Sequence, residues 1–511
     1  MTTRDEGPPT VPADRAADHP TGDHPTGDQA GSRHLEAPRG WIPVAGCALT
    51  FALGVVYFFG YGPLVYGNSS WTTGGDLWGI VRAAHYVGWG AFGDIYNRGN
   101  GVITFPGIFV VLAPVAMLSG KLGLSESFGP YMLARPTAAL LFQPVELVLT
   151  FPAVFAVDAL ARRLGCSRSR RWVLTFGAAV AAFSVAGVWG HAEDVLATGL
   201  ALYAVDSLLA GKTRRMGWLM GAAVVTQPLV GLAVPLLFAV SPAGSRVRFA
   251  VRSVVPSVVL LGLALLGNWA DASRALVEQP TPPSINHATP WIALAPKVPQ
   301  PSLPPVIVDR RAGFVHGHFR VVTSTIHTHK QVLVSGGPPR TLGLLLAIAI
   351  GVWAWRNRSR ISPTGLVWLT AVAFSLRCAF EPVMTPYYLV PPVLVAMVSL
   401  ARVGPVRQIA GTVLAIGDGV FAYYHFSPWV WWPPVVAMLA GVLALGYPGA
   451  AAFAGTDRRG QVGTPSTVTT VGGGADGLDG LEGSPGAAEP AALDPSERPD
   501  GVLAAREPLA P

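Results

Sequence analysis

The sequence predicts an all-α protein, a polytopic transmembrane helix bundle with about 11–14 spans and disordered termini. Apolar residue types make up 51% of the 511 residues and charged types only 13%, whereas soluble domains carry about 25% charged residues. The mean hydropathy is +0.43. Apolar runs of about 18–25 residues, long enough to cross a bilayer, recur along the chain. These observations exclude a disordered protein and an ordinary soluble one.

The two ends of the chain differ from its centre in composition and charge. Residues 1–40 carry a net charge of −3 and residues 454–511 carry −5, which leaves +15 between them in a chain of net charge +7. A tandem Asp-His-Pro-Thr-Gly repeat begins at Asp18, and the Pro and Gly of each copy favour disorder over a histidine metal site. We expect disordered cytoplasmic tails at 1–40 and 448–511, on either side of a membrane core.

The membrane core is predicted at residues 41–447. Its apolar runs lie near 41–61, 102–120, 137–160, 172–190, 195–210, 215–241, 249–269, 340–356, 363–380, 386–402, 407–424 and 429–447. Basic residues cluster in the short connectors between runs, which indicates the cytoplasmic side and argues against nucleic acid as a partner. The polar stretches 62–101 and 270–339 then become outer loops. We predict a multi-pass plasma-membrane protein with both termini in the cytoplasm.

Two apolar runs start and end on the same predicted side of the membrane. Each has a Gln-Pro pair near its middle, Gln143-Pro144 in one and Gln227-Pro228 in the other. Proline frees a backbone carbonyl and interrupts a helix. Each run is therefore predicted to be a broken pair of short helices. Cys47, Cys166 and Cys378 lie in or beside apolar runs, so no disulfide framework is predicted.

The first outer loop carries the most informative pattern. Residues 77–92 predict an amphipathic helix on the outer membrane surface, with Arg82 and His85 off its apolar stripe. Asp76 stands at the start of this helix, where a carboxylate is a natural N-cap. The alternative is that Asp76 is a general base at the mouth of a membrane cavity. Asp94, near the far end of the loop, is the second carboxylate that could serve.

The same loop resembles a known family. Its short elements are Asp76-Leu77, Ala83-Ala84, a glycine, Ile95-Tyr96, and Phe105-Pro106-Gly107 before the next span. This series resembles the start of the GT-C glycosyltransferases, and more narrowly the polyprenol-phosphate-mannose-dependent mannosyltransferases of bacterial cell envelopes. That family often has Tyr-Pro-Pro where this chain has Phe105-Pro106-Gly107. The resemblance covers about residues 41–447.

The resemblance implies a GT-C-like membrane core and an inverting glycosyltransferase with its active site on the outer face. The implied donor is a polyprenol-phosphate sugar, with mannose as the expected sugar, and the implied acceptor is a lipid-linked or cell-envelope glycan. Asp76 occupies the place of the family's catalytic aspartate. No cofactor is implied, and a divalent cation could assist without being required.

Two further polar elements sit between apolar runs. His191, Glu193 and Asp194 form a turn on the predicted outer side, which could be a solvated helix cap or bind substrate, and which is a weak metal signal. Gln227 occupies a place where the family often has Lys-Pro near the lipid phosphate. Gln227 could bind the donor there, or could satisfy carbonyls freed by Pro228.

A charged pair lies near the outer end of a later run. Arg377 and Glu381 are spaced i,i+4, so they are predicted to share a helix face. They could form an internal ion pair, or Arg377 could face the phosphate of the lipid carrier, because a guanidinium fork suits phosphate oxygens. Tyr387 and Tyr388 follow, as interfacial anchors or as a surface for a sugar ring.

The long outer loop carries the histidine pairs His316-Gly317-His318 and His327-Thr328-His329. Four such histidines could hold zinc or copper, but nothing in the sequence sets the pairs opposite each other, and no metal site is predicted. Under the family resemblance, His316, His318 and Arg320 are instead candidates for the donor phosphate.

Two rival classes of function fit parts of this pattern. A multi-span transporter or lipid flippase explains the spans, the broken helices and the intramembrane charges equally well. It does not need a 70-residue outer loop or an acidic residue at the head of an interfacial helix. A non-catalytic membrane scaffold is the third reading. Donor-dependent sugar transfer separates the enzyme from both.

Overall fold

The computed structural model describes residues 40–61, 77–97, 102–125, 137–281, 283, 287–298, 309–315, 318–324, 333–424 and 426–454, with 309–315 and 318–324 described by their backbone alone. The described chain is mostly helical, as the sequence predicts. Its α-helices are α1 Trp41–Val56, α2 Leu77–Gly88, α3 Gly107–Lys121, α4 Ala139–Leu149, α5 Phe151–Arg163, α6 Arg168–Phe183, α7 Ala192–Leu209, α8 Thr213–Thr226, α9 Val234–Val240, α10 Arg246–Gly267, α11 Trp269–Ser273, α12 Gly337–Asn357, α13 Pro363–Phe380, α14 Val390–Leu400, α15 Pro405–Ala422 and α16 Pro428–Gly446.

Seven helical segments of the described chain are long and apolar enough to cross a membrane. They are Trp41–Gly60, Ala139–Arg163, Arg168–Trp189, Ala243–Gly267, Gly337–Asn357, Pro363–Phe380 and Pro428–Gly446. Three shorter apolar helical segments accompany them, at Gly107–Lys121, Pro228–Val240 and Pro386–Leu400. The chain is therefore a multi-pass membrane protein. The number of 11–14 spans stays a prediction, because several predicted spans, including α7 with its three carboxylates, are not among these seven segments.

The long loop after α11 contains short antiparallel strand pairs, and one further pair ties the loop to the bundle. The strands are β1 His287–Ala288, β2 Lys297–Val298, β3 Asp309–Val315, β4 His318–Ser324, β5 Leu333–Val334 and β6 Val383–Met384. They pair as β1 with β6, β2 with β5, and β3 with β4. The first pair joins the loop to the turn after α13, and Thr289 adds a hydrogen bond from its hydroxyl to the Glu381 carbonyl at 2.8 Å.

Helix α7 lies in the centre of the bundle. Almost every residue from Ala192 to Val205 is buried, including three polar ones. A Cβ at Gly199 would collide with the backbone of Pro152 and Ala153, so only glycine lets α7 approach α5 this closely. The start of α7 is consequently a buried place, although the sequence there is charged.

The two Gln-Pro pairs behave differently. Helix α8 ends at Thr226, Gln227 is extended at φ −146°, and a 3₁₀ segment from Pro228 to Ala233 leads into α9, which confirms the predicted break. The break predicted at Gln143-Pro144 was wrong, because Pro144 lies inside α4. The boundary between α4 and α5 falls at Thr150 instead. Ala139–Arg163 thus forms one 25-residue segment.

Helix α2 has the predicted apolar stripe but is shorter than expected. Leu77, Ile80 and Val81 are buried and Arg82 is exposed, whereas His85, placed off the stripe by the sequence, is buried. The helix ends at Gly88, before Gly90 turns the chain at φ +74°. Most of the two predicted tails lies outside the described residues. Residues 450–453, assigned to the second tail, form a 3₁₀ turn instead.

Candidate functional site

A sharp turn at the start of α7 brings carboxylates into the bundle. Residues 184–189 continue α6 as a π-helix, and Gly190 ends it in the left-handed region at φ +78°. Helix α7 begins at Ala192, with Glu193 and Asp194 in its first turn. Both are only 1% exposed. The positive end of the helix dipole stabilises carboxylates at this position, which offsets part of the cost of burying them.

Asp194 joins three separate elements. Its Oδ1 accepts a hydrogen bond from Nη1 of Arg377, on α13, at 3.0 Å. The same oxygen accepts a second one from Nε2 of Gln227, at the α8 break, also at 3.0 Å. Gln227 is therefore a partner of Asp194, and not merely a donor to carbonyls freed by proline. The structure brings together Gln227 and Arg377, two of the predicted donor-binding residues.

Two tyrosines cover this polar centre. The guanidinium carbon of Arg377 lies 3.1 Å from the ring centroid of Tyr388, in a cation–π contact. Tyr387 stacks on the imidazole of His191, with ring centroids 4.2 Å apart. His191 Nδ1 is in turn 2.7 Å from Glu193 Oε1. These predicted substrate-binding residues are thus assembled in one place, with Tyr387 buried.

Glu146, on α4, is a member of this centre that the sequence reasoning missed. It is fully buried, and neither carboxylate oxygen has a hydrogen-bond partner within the described chain. It lies within electrostatic range of Glu193 and His191. A usable signal was present, because Glu146 is an ionisable residue in the middle of an apolar run, and such residues suggest a functional site by default. Asp418, on α15, is a second fully buried carboxylate of the same kind.

Arg377 and Glu381 do not share a helix face, contrary to expectation. Helix α13 ends at Phe380, and Glu381 follows with an extended backbone, so the i,i+4 geometry is lost. Glu381 instead accepts hydrogen bonds from Arg340, including one from Nε at 2.6 Å. Arg340 also donates to Gln279 Oε1 at 2.7 Å. The sequence reasoning missed Arg340, whose partner is distant along the chain.

An apolar cavity of about 730 Å³ adjoins the polar centre. Its walls come from α6 and its π-helical extension, α14 and α15, and they include Trp189 and Tyr387. Several rim residues are highly exposed on the surface that would face lipid, among them Ile416 at 62% and Tyr423 at 58%. Tyr387 therefore belongs both to the cavity wall and to the stack over His191.

The first outer loop is only partly described. Asp76, the predicted base, lies outside the described residues, so its role stays a prediction. Asp94 ends a 3₁₀ turn, is exposed, and accepts a hydrogen bond from Asn97 Nδ2 at 3.1 Å. A Cβ at Gly93 would lie 2.8 Å from the carbonyl carbon of Gly267, so only glycine lets this turn pack so closely against the C-terminal end of α10.

The predicted phosphate-binding residues of the long loop lie on the β3–β4 hairpin. His318 pairs with Val315 across the hairpin and Arg320 pairs with Gly313. His316 lies outside the described residues. Of the two histidine pairs, for which a strand would put both members on one face, only His318 lies on a described strand.

Three side chains of the centre could hold a metal ion. A ring nitrogen of His191 and carboxylate oxygens of Glu193 and Asp194 lie within 4.8 Å of one another. Comparison with known proteins finds no matching family model, no matching curated protein and no matching solved structure.

Proposed function

We propose that this protein is an integral-membrane glycosyltransferase, which moves a sugar from a polyprenol-phosphate donor to a lipid-linked or cell-envelope glycan at the outer face. Mannose is the proposed sugar, on the resemblance of the first outer loop. The observation that carries the proposal is that Tyr387 both lines the apolar cavity and stacks on His191 of the buried charged centre, so the two lie side by side. A lipid-linked sugar phosphate needs both surroundings side by side.

The donor's two halves fit the two parts of this site. The polyprenyl chain would lie in the apolar cavity between α6, α14 and α15. The phosphate would then be next to Arg377. Its Nη1 donates a hydrogen bond to Asp194, and its buried Nε has no hydrogen-bond partner within the described chain. Guanidinium forks suit phosphate oxygens. His316, His318 and Arg320 would add positive charge or hydrogen bonds from the long loop.

The proposed chemistry is a single inverting displacement. The acceptor oxygen forms a bond to the anomeric carbon while the bond from that carbon to the phosphate oxygen breaks. Asp76 takes the hydroxyl proton as the new C–O bond forms, and polyprenyl phosphate leaves with the electron pair of the broken bond. The leaving phosphate gains negative charge, so a positioned guanidinium stabilises the transition state more than the ground state.

Reconstituted protein tests the proposal. Purified full-length chain in lipid vesicles is given polyprenol-phosphate mannose, labelled in the sugar, and an envelope lipid extract as acceptor. We expect donor-dependent transfer of label to the extract. No transfer from any polyprenol-phosphate sugar tried, in protein shown to be folded, would refute the enzyme.

The lipid cavity has its own test. Ala415 lines the cavity, whereas Gly417, on the same helix, does not and has open space around it. Ala415→Trp should raise KM for a long-chain donor while changing KM little for a donor with a short, soluble chain. Gly417→Trp is the matched control and should leave both unchanged. Equal effects of the two substitutions would place the polyprenyl chain elsewhere.

A transporter or lipid flippase is the second candidate, and the buried carboxylates favour it. Glu146 and Asp418 are both fully buried within helices of the bundle, and carboxylates buried in membrane proteins are typical of ion and proton pathways. The two candidates differ in a counter-flow experiment with the same vesicles. Movement of labelled lipid-linked sugar across the bilayer without sugar transfer would support the transporter.

A further inference from the structure

We infer that His191, Glu193 and Asp194, with Glu146 beside them, bind a divalent cation. The ligand atoms of the first three residues lie within 4.8 Å of one another. Donor atoms bound at about 2.0–2.2 Å to one ion are at most about 4.4 Å apart. A small adjustment of side chains therefore suffices to enclose an ion, and the rigid start of α7 already fixes two of the three residues.

Only some of the buried carboxylate oxygens of Glu146, Glu193 and Asp194 accept hydrogen bonds. Glu193 uses Oε1 toward His191, and Asp194 uses Oδ1 toward Arg377 and Gln227. The second oxygen of each, and both oxygens of Glu146, have no hydrogen-bond partner within the described chain. Leaving a buried charged group without a partner is costly. Oxygens so arranged are suited to a cation.

The charges lead to the same conclusion. Three buried carboxylates, of Glu146, Glu193 and Asp194, stand against one buried guanidinium, that of Arg377. Arg340 adds no balance, because it is paired with Glu381. A centre with this excess of negative charge inside a membrane protein gains most from a doubly charged ion. Protons on two carboxyl groups are the competing solution, and the experiment below separates the two.

The ligand set indicates the class of ion. Two or three carboxylates with one imidazole suit Mn²⁺, Mg²⁺ or Zn²⁺ rather than a soft metal, since no thiol is present among them. Arg377 and Gln227 would act as outer partners that orient Asp194, as such partners do in known metal sites. The ion's task as counter-charge for the donor phosphate rests on the proposed function, whereas binding itself does not.

Titration with Mn²⁺ tests the inference on the full-length protein. Electron paramagnetic resonance of free Mn²⁺ in the presence of purified, detergent-solubilised chain should show one saturable site. Glu193→Gln keeps the size of the side chain but removes the charge of a ligand, so it should weaken binding at least tenfold. Asp206→Asn is the matched control, because Asp206 lies at the other end of α7 in an ion pair with Arg163, and it should bind Mn²⁺ as the wild type does.

The possible outcomes are distinct from those of the transfer assay. If folded protein has no saturable site for either Mn²⁺ or Zn²⁺, protons neutralise the carboxylates, and the inference is overturned. Unchanged affinity in Glu193→Gln, with a normal melting temperature, would also overturn it. Mn²⁺ binding without sugar transfer would keep the cation site and refute only the proposed function.

Discussion

Asp194 concentrates two hydrogen bonds on a single oxygen, from Arg377 and from Gln227. Through this one oxygen, the start of α7 is hydrogen-bonded to α13 and to the break after α8. Breaking a buried ion pair by removing one partner is strongly destabilising, because a charge is left buried without compensation. Removing both charges is much less harmful. The two kinds of variant can therefore separate a structural role of Arg377 from a role in binding phosphate.

Arg377→Met should lower the free energy of unfolding by about 3–5 kcal/mol, since it strands the Asp194 carboxylate. Adding Asp194→Asn should restore a large part of that stability, because a neutral amide no longer needs the guanidinium. Thermal unfolding of detergent-solubilised protein measures both. If Arg377 also binds the donor phosphate, sugar transfer is lower in the double variant than in Asp194→Asn alone, which controls for the loss of a proposed cation ligand. Recovery of transfer together with stability would reduce Arg377 to a structural residue.

Asp76→Asn tests the predicted base. Asparagine caps a helix nearly as well as aspartate, so the fold should survive. It cannot accept the proton, so sugar transfer should fall at least about 10²-fold. The capping alternative predicts a mild effect of Asn and a loss of about 1 kcal/mol in Asp76→Ala. Near-normal turnover of Asp76→Asn beside an inactive Asp94→Asn would move the base to Asp94.

At the scale of elements, the dipeptide Gln-Pro occurs at two positions with two different backbone structures. Residues before proline disfavour the α conformation, and Gln227 follows this rule with an extended backbone. Gln143 precedes a proline too, yet it stays helical, and its Nε2 donates to the Gly187 carbonyl at 3.2 Å. Pro114 and Pro256 also lie inside helices, so the preference against helix before proline is overridden repeatedly in this bundle. Local pattern predicts such a break only where packing does not oppose it.

The junction of α3 with the α8 break should depend on Gly107. A Cβ there would lie 2.6 Å from the Val225 carbonyl oxygen, so α3 would have to move away from Thr226 and Gln227. Gly107→Ala should cost about 1–3 kcal/mol of stability, as overpacking does, and should impair transfer. Gly262→Ala, inside α10 with open space around it, is the control and should be neutral or stabilising by up to about 1 kcal/mol. Equal melting temperatures for the two would contradict this packing.

At the scale of the whole molecule, the sequence predicts the fold class better than it predicts which side chains contact each other in the folded protein. Hydropathy alone predicts a helical membrane protein, because spanning a bilayer needs only length and apolarity. It predicts Arg377 as an intramembrane charge of interest as well. Its partner was assigned to Glu381, four residues away, but it is Asp194, 183 positions away. Arg340 was missed for the same reason, since its partners Glu381 and Gln279 are distant in sequence. Glu146 carried a local signal, as a carboxylate inside an apolar run, but its neighbours Glu193 and His191 are brought to it only by packing.

The predicted topology places both termini in the cytoplasm and the β3–β4 hairpin outside. Pro20→Cys, Arg320→Cys and Gly480→Cys, each added to a Cys166→Ser chain, test it with a membrane-impermeant maleimide. We expect Arg320→Cys to react in intact cells, and the other two only after permeabilisation. Cys47 and Cys378 are buried and should stay silent.

Native Cys166, in the connector between α5 and α6, is an internal marker of the side predicted to be cytoplasmic. Burial raises the pKa of its thiol, although nearby arginines oppose the effect. The reactive species is the thiolate, so its labelling should be slow near neutral pH and accelerate as the pH rises past the ordinary thiol pKa. Only permeabilised cells should show this reaction. Labelling of Cys166 from outside, or of Arg320→Cys only from inside, would invert the topology. An inverted topology would move the charged centre of Arg377 and Asp194 to the cytoplasmic face and exclude the outer-face transferase.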